Sequence, residues 1–274
     1  MSSWQSRIVR LTRPLPDRLA FPVFVRLTHP PDETNLGIQD FHQIKPFLTA
    51  PFSEEDWPGA ENTEGWVYSA RERSFHGRVW HGAIDWRASY RTSVHAAASG
   101  YAVSYRWISA PIRRRGKIVW VQGSPLRAGG GLTVQLAHPN GLFTRYCHLS
   151  DITAQMRWVF NEPTIIEEED TGLVHFEPNG HLLTYDQLAQ SENAIWIERG
   201  QLIGYVGCDN CQYLGWPELH FEVFARPVQE NPPVPVDPSG AYLPAPRCLD
   251  PHYFSTQGPC LWNLDTRQRI AFAA

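Results

Sequence analysis

A chain of 274 residues is long enough to bury one substantial core and still carry flanking segments. Its apolar share of 42% is ordinary for a globular protein, and a formal charge of -4 supplies no basic field for nucleic acid or an anionic membrane surface. Prolines (23) and glycines (20) interrupt the chain too often for long helices, so the expected class is all-β or β-rich. No stretch approaches the roughly 18 apolar residues that cross a bilayer.

Taken in chain order, the first twenty residues contain no apolar segment of the kind that forms a secretory signal. Residues 1–64 are Pro-rich and in places acidic, and read as an irregular extension holding a strand or two. Short alternating segments begin at Trp66. His81-Gly82-Ala83-Ile84-Asp85 then sets an imidazole and a carboxylate four residues apart around a glycine. That spacing can converge on one metal ion, although taken alone it more often marks a polar surface turn.

Leu132 to His138 alternates apolar and polar, Pro139-Asn140-Gly141 is a turn, and Leu142 to Leu149 returns, which together predict a β-hairpin. On the returning strand, period two puts Tyr146 and His148 on one face, with Cys147 and Leu149 on the other. An insert at about 151–197 breaks the β pattern. It holds the acidic run Glu167-Glu168-Glu169-Asp170, read as a solvated face, and a short helix near Tyr185 to Ser191. The pattern resumes at Leu202 to Gly207 and ends in Glu218-Leu219-His220-Phe221-Glu222-Val223-Phe224. There Leu219 and Phe221 should face the core, while Glu218 and His220 share the opposite side. Residues 231–274 form a second Pro-rich, irregular tail.

The five cysteines can supply two disulfides and one free thiol. Cys208 and Cys211 lack the second CxxC of a structural zinc site, so a disulfide among Cys208, Cys211, Cys248 and Cys260 is the simpler expectation, with Cys147 in the core. Of the aromatics near the polar segments, Trp80, Trp86, Tyr146 and Trp216 could wall a ligand groove, although packing accounts for at least half of them.

In this order HGAID, YCHL and ELHFE, the last following RGQLIGYVG, resemble the lysostaphin/LytM family of zinc peptidases, which carries H-x-G-x-D, Y-x-H-L and H-L-H-F-E. The resemblance covers about residues 66 to 226 outside the insert, within a domain drawn at 65–230. It implies antiparallel sheets forming a groove, with His81, Asp85 and His220 as zinc ligands. It also implies that His148 is a catalytic histidine beside the metal, there to activate water or stabilise the oxyanion. The implied activity is that of a zinc metalloendopeptidase on peptide bonds of peptidoglycan cross-bridges or stem peptides. The setting would be extracytoplasmic, with a monomer and a wall or peptide substrate.

Two positions depart from the family pattern. Ala83 keeps a small residue where the family has glycine. Glu218 stands where the family has the first histidine of its H-x-H pair, the catalytic member. A glutamate beside a metal-bound water is a competent general base, as in the HExxH proteases. The alternative is a catalytically degenerate domain that binds cell wall or regulates another wall hydrolase.

Overall fold

The computed structural model describes residues 46–59, 62–64, 82–121, 123–127, 129–177, 183–210, 215–225, 234–238 and 260–263. His81, together with His76, Trp80, Cys211 and Cys248, lies outside the described residues.

The described chain is all-β. Its strands are β1 (Thr63–Glu64), β2 (Ile84–Arg87), β3 (Ser93–His95), β4 (Gly100–Trp107), β5 (Arg113–Arg114), β6 (Lys117–Ile118), β7 (Trp120–Val121), β8 (Ser124–Pro125) and β9 (Gly131–Ala137). They continue as β10 (Leu142–Cys147), β11 (Leu149–Ile152), β12 (Phe160–Asn161), β13 (Thr164–Glu167), β14 (Val174–Glu177), β15 (Ile195–Ile197), β16 (Leu202–Val206), β17 (Glu218–Ala225) and β18 (Val234–Pro235). The main sheet runs β1-β2-β17-β10-β9-β4-β12, with β15 also on β4 and β18 on β17. A smaller sheet, β11-β16-β3, lies over it.

The hairpin read from the sequence is β9 and β10, paired antiparallel with Phe143 opposite Ala137. The core fills the space between the two sheets. Trp86, Leu136, Tyr146, Leu219 and Phe221 come from the main sheet, and Val94, Leu149, Ile152, Ile203 and Val206 from the smaller one. Segments distant in sequence complete it: Leu48 pairs with Trp262 in a parallel bridge, and Phe52 and Trp262 both pack on Trp86. Trp86 and Tyr146 are thus core residues rather than groove walls, and the Tyr146 hydroxyl accepts the Ala97 N–H at 2.7 Å.

The segment 151–197 extends the main sheet and adds a hairpin. Strands β12 and β15 both join β4, one parallel and one antiparallel. The helix Tyr185–Ala189 begins in a capping box, with Thr184 and Gln187 each meeting the other's backbone N–H. The acidic run sits at the turn of the β13–β14 hairpin, where Glu168 and Asp170 pair with the Arg113 guanidinium.

Candidate functional site

The site is built by alternation along three neighbouring strands. On β17 the odd-numbered Leu219, Phe221 and Val223 enter the core, so Glu218, His220 and Glu222 project from the other side of the sheet. Register then sets the row: His220 lies directly opposite Asp85 of β2 on one flank and Cys147 of β10 on the other. One residue pair further along, Glu222 lies opposite Arg145. Asp85, Arg145, Cys147, His220 and Glu222 are thereby all carried on strands.

Asp85 and His220 meet across the β2–β17 pair. His220 Nδ1 lies 2.6 Å from Asp85 Oδ1, and its Nε2 lies 3.1 Å from Glu222 Oε1. Glu222 is held in turn by the Arg145 guanidinium at 2.8 Å. Arg145 is itself buried, with its guanidinium 4.6 Å from the centre of the Phe224 ring and 3.4 Å from Gln135 Oε1. Burial alone would depress the His220 pKa, but the Asp85 and Glu222 carboxylates reverse that and hold it up at about 10.

His148 joins this group from a different direction than strand alternation implies. Strand β10 ends at Cys147, and His148 has a left-handed backbone, φ 61°. That turn breaks the period of two. Tyr146 goes into the core, Cys147 stays on the His220 side, and the His148 ring swings to within 5.7 Å of the His220 ring. The expectation that Tyr146 and His148 share a face is therefore corrected.

His148 is buried, its N–H donates to the Gly130 carbonyl at 2.6 Å, and its Nδ1 lies 2.8 Å from the Asp209 carbonyl. Burial and the neighbouring His220 lower its pKa, against opposing pulls from Glu218, the Asp209 carbonyl and Asp85. Glu218 is completely buried, its N–H donates to the Gly207 carbonyl at 3.0 Å, and its charge reaches His148.

The donor chemistry suits zinc. A carboxylate oxygen and an imidazole nitrogen already face each other across the β2–β17 pair, and both are atoms that zinc accepts. His81, the third ligand implied by the sequence, lies outside the described residues. Among the described residues no group of three His, Cys, Asp or Glu is arranged to hold a metal. A cleft of about 740 Å³ is lined by Arg106, Leu132, Leu149, Asp151 and Asp209 among others, and none of Asp85, His148, Glu218, His220 or Glu222 lines it.

Cys147 is buried, as expected of a core residue, and carries no disulfide. Cys208 is disulfide-bonded. Three contributors escaped the sequence reading. Glu222 and Arg145 were visible in principle, since each lies two residues from a member of the row. Asp209 meets His148 through its backbone carbonyl, for which no side-chain pattern exists.

No protein-family description matches this chain, and no curated protein matches it. Among solved structures it is similar to Csd3 from Helicobacter pylori, at 19% identity and a TM-score of 0.33, over 73% of this chain and 35% of that one. It is also similar to the catalytic domain of the antimicrobial peptidase lysostaphin from Staphylococcus simulans, at 17% identity and a TM-score of 0.27, over 68% of this chain and 84% of that one. A third is the catalytic domain of EnpA, a prophage-encoded M23 protein from Enterococcus faecalis, at 17% identity and a TM-score of 0.32, over 68% of this chain and 93% of that one. The match spans about a third of the length of Csd3. Among the described residues, no helix is long and apolar enough to cross a membrane.

Proposed function

We propose that this chain is a zinc-dependent endopeptidase acting on peptide bonds in peptidoglycan cross-bridges or stem peptides, outside the cytoplasm and as a monomer. The observation that carries the reading is the in-register meeting of Asp85 and His220, with His148 beside them, at the positions the HGAID, YCHL and ELHFE motifs single out.

In this reading His81, Asp85 and His220 hold the metal, and Glu222 fixes the His220 ring by taking up its Nε2. Zinc, when bound, would supply a water of pKa ~7 and would polarise the scissile carbonyl. The chain's own work is proton movement. Glu218 and His148, facing the same region from β17 and from the end of β10, are the two groups placed to take the water's proton and pass it to the leaving amine.

The test is to incubate zinc-loaded chain with purified peptidoglycan and look for new amino and carboxyl ends by mass spectrometry. Cleavage should vanish on chelation and in His220→Ala, while Glu218→Gln should keep its zinc and lose roughly 100-fold or more in turnover. A folded, zinc-binding chain that cuts no wall preparation refutes the enzyme. It would favour the wall-binding or regulatory reading, which the complete burial of Glu218 supports.

A further inference from the structure

The loop that follows β16 contains a clamp whose side chain and main chain act on different targets. The Asp209 carboxylate takes the Leu132 N–H at 2.7 Å through one oxygen and the Arg106 guanidinium at 2.7 Å through the other. Its side chain is only 16% exposed, whereas that of Arg106 is 43% exposed. The next residue, Asn210, donates its side-chain amide to the Gly129 carbonyl at 2.8 Å from a left-handed backbone, φ 62°. The loop is thereby tied to the start of β9 at two successive residues. Gly131, at φ 60°, allows the approach: a Cβ there would overlap the Asp209 backbone.

Having been fixed by its carboxylate, Asp209 presents its carbonyl to His148 Nδ1 at 2.8 Å. A carbonyl oxygen can only accept, so Nδ1 carries the proton. When the ring is neutral, Nε2 is then the nitrogen with the free lone pair.

We infer that Asp209 is a positioning residue that locks His148 in the Nδ1–H tautomer and so makes Nε2 the atom that takes the proton. Its effect on turnover rests on the peptidase reading. Its effect on the tautomer does not. If His148 accepts through Nε2, it serves as the base in its neutral form and cannot donate to an oxyanion until it has been protonated. This orders the roles of His148 and Glu218.

The experiment uses the full zinc-loaded chain labelled with ¹⁵N, with His148 ring nitrogens read by NMR in wild type, Asp209→Ala and Asp209→Asn. Wild type should show the proton on Nδ1. Asp209→Ala should shift His148 towards the Nε2–H form and lower kcat on peptidoglycan about tenfold or more with KM held. Asp209→Asn, which keeps an acceptor for the Leu132 N–H, should recover most of both. A folded Asp209→Ala with an unchanged Nδ1–H signature overturns the inference. If Asp209→Ala does not fold, Arg106→Met removes one of the carboxylate's two ties from a half-exposed position, and the same two outcomes decide. A chain that cuts nothing yet loses its Nδ1–H state in Asp209→Ala defeats the peptidase reading and leaves the positioning role intact. One that cuts, but keeps its tautomer throughout, does the reverse.

Discussion

His138 offers a direct physical test of the packing, because it titrates inside the protein. It is 1% exposed. Its Nδ1–H donates to the Ser99 carbonyl at 2.9 Å, and its Nε2 takes the Thr144 hydroxyl at 3.0 Å. Thr144 Oγ1 in turn lies 3.3 Å from the Tyr146 hydroxyl, so the imidazole closes a polar chain through the core. Burial pushes His138 down to about 4, only partly opposed by the Ser99 carbonyl. In the unfolded chain an ordinary histidine sits near ~6.5.

Between these values the unfolded state binds a proton that the folded state refuses, so stability rises with pH across the window. The contribution is complete above about pH 6.5 and is lost as pH falls through about 4. At ~1.4 kcal/mol per pKa unit the difference amounts to about 3 kcal/mol. For a domain of this size that corresponds to a fall in Tm of roughly 6–12 °C. Carboxylates also titrate in this range, so the comparison must be with His138→Asn, which keeps a donor near Ser99 but cannot ionise there. Urea unfolding of both proteins at pH 7.5, 6.5, 5.5 and 4.5 should give a steeper decline in wild type. Parallel curves would refute the reasoning, as would an NMR titration placing the His138 pKa near ~6.5.

Two further outcomes follow from the same packing. On the proposed reading of His220 as a zinc ligand, Glu222→Gln removes the charge that holds its Nε2, so zinc should be lost to a competing chelator about 10–100-fold more readily, and an unchanged affinity would dismiss Glu222 as a ligand-orienting group. Gly207→Ala would drive a Cβ into the Ser150 backbone at the junction of β11 and β16, costing about 2 kcal/mol or more in urea unfolding; a change under about 0.5 kcal/mol would show that the junction relaxes freely.

Where the sequence was informative, it was so through short-range periodicity. The β9–β10 hairpin and the two faces of β17 follow from alternation, and Leu219 and Phe221 lie in the core on the strength of that pattern alone. The same rule misplaced His148, because one left-handed residue at a strand end cancels the alternation and nothing in YCHL signals it. Trp86 illustrates a second limit. An aromatic beside a polar residue reads as a groove wall until Phe52 and Trp262, from segments far apart in sequence, close over it. Contacts of that kind leave no local periodic trace. Asp209 is a third case: its carboxylate is legible as a charge, but its carbonyl is identical to that of any other residue.

The position of His148 has a consequence for motion. Cys147 is the last residue of β10 in the main sheet and Leu149 the first of β11 in the smaller one, so His148 is the joint through which the chain passes between layers. A joint transmits whatever the layers do. The apolar interior that sets the spacing between the sheets therefore also sets the aim of the imidazole. A cavity cut in that interior, at Leu136 or Ile203 for instance, would reach His148 as a change of angle at one residue.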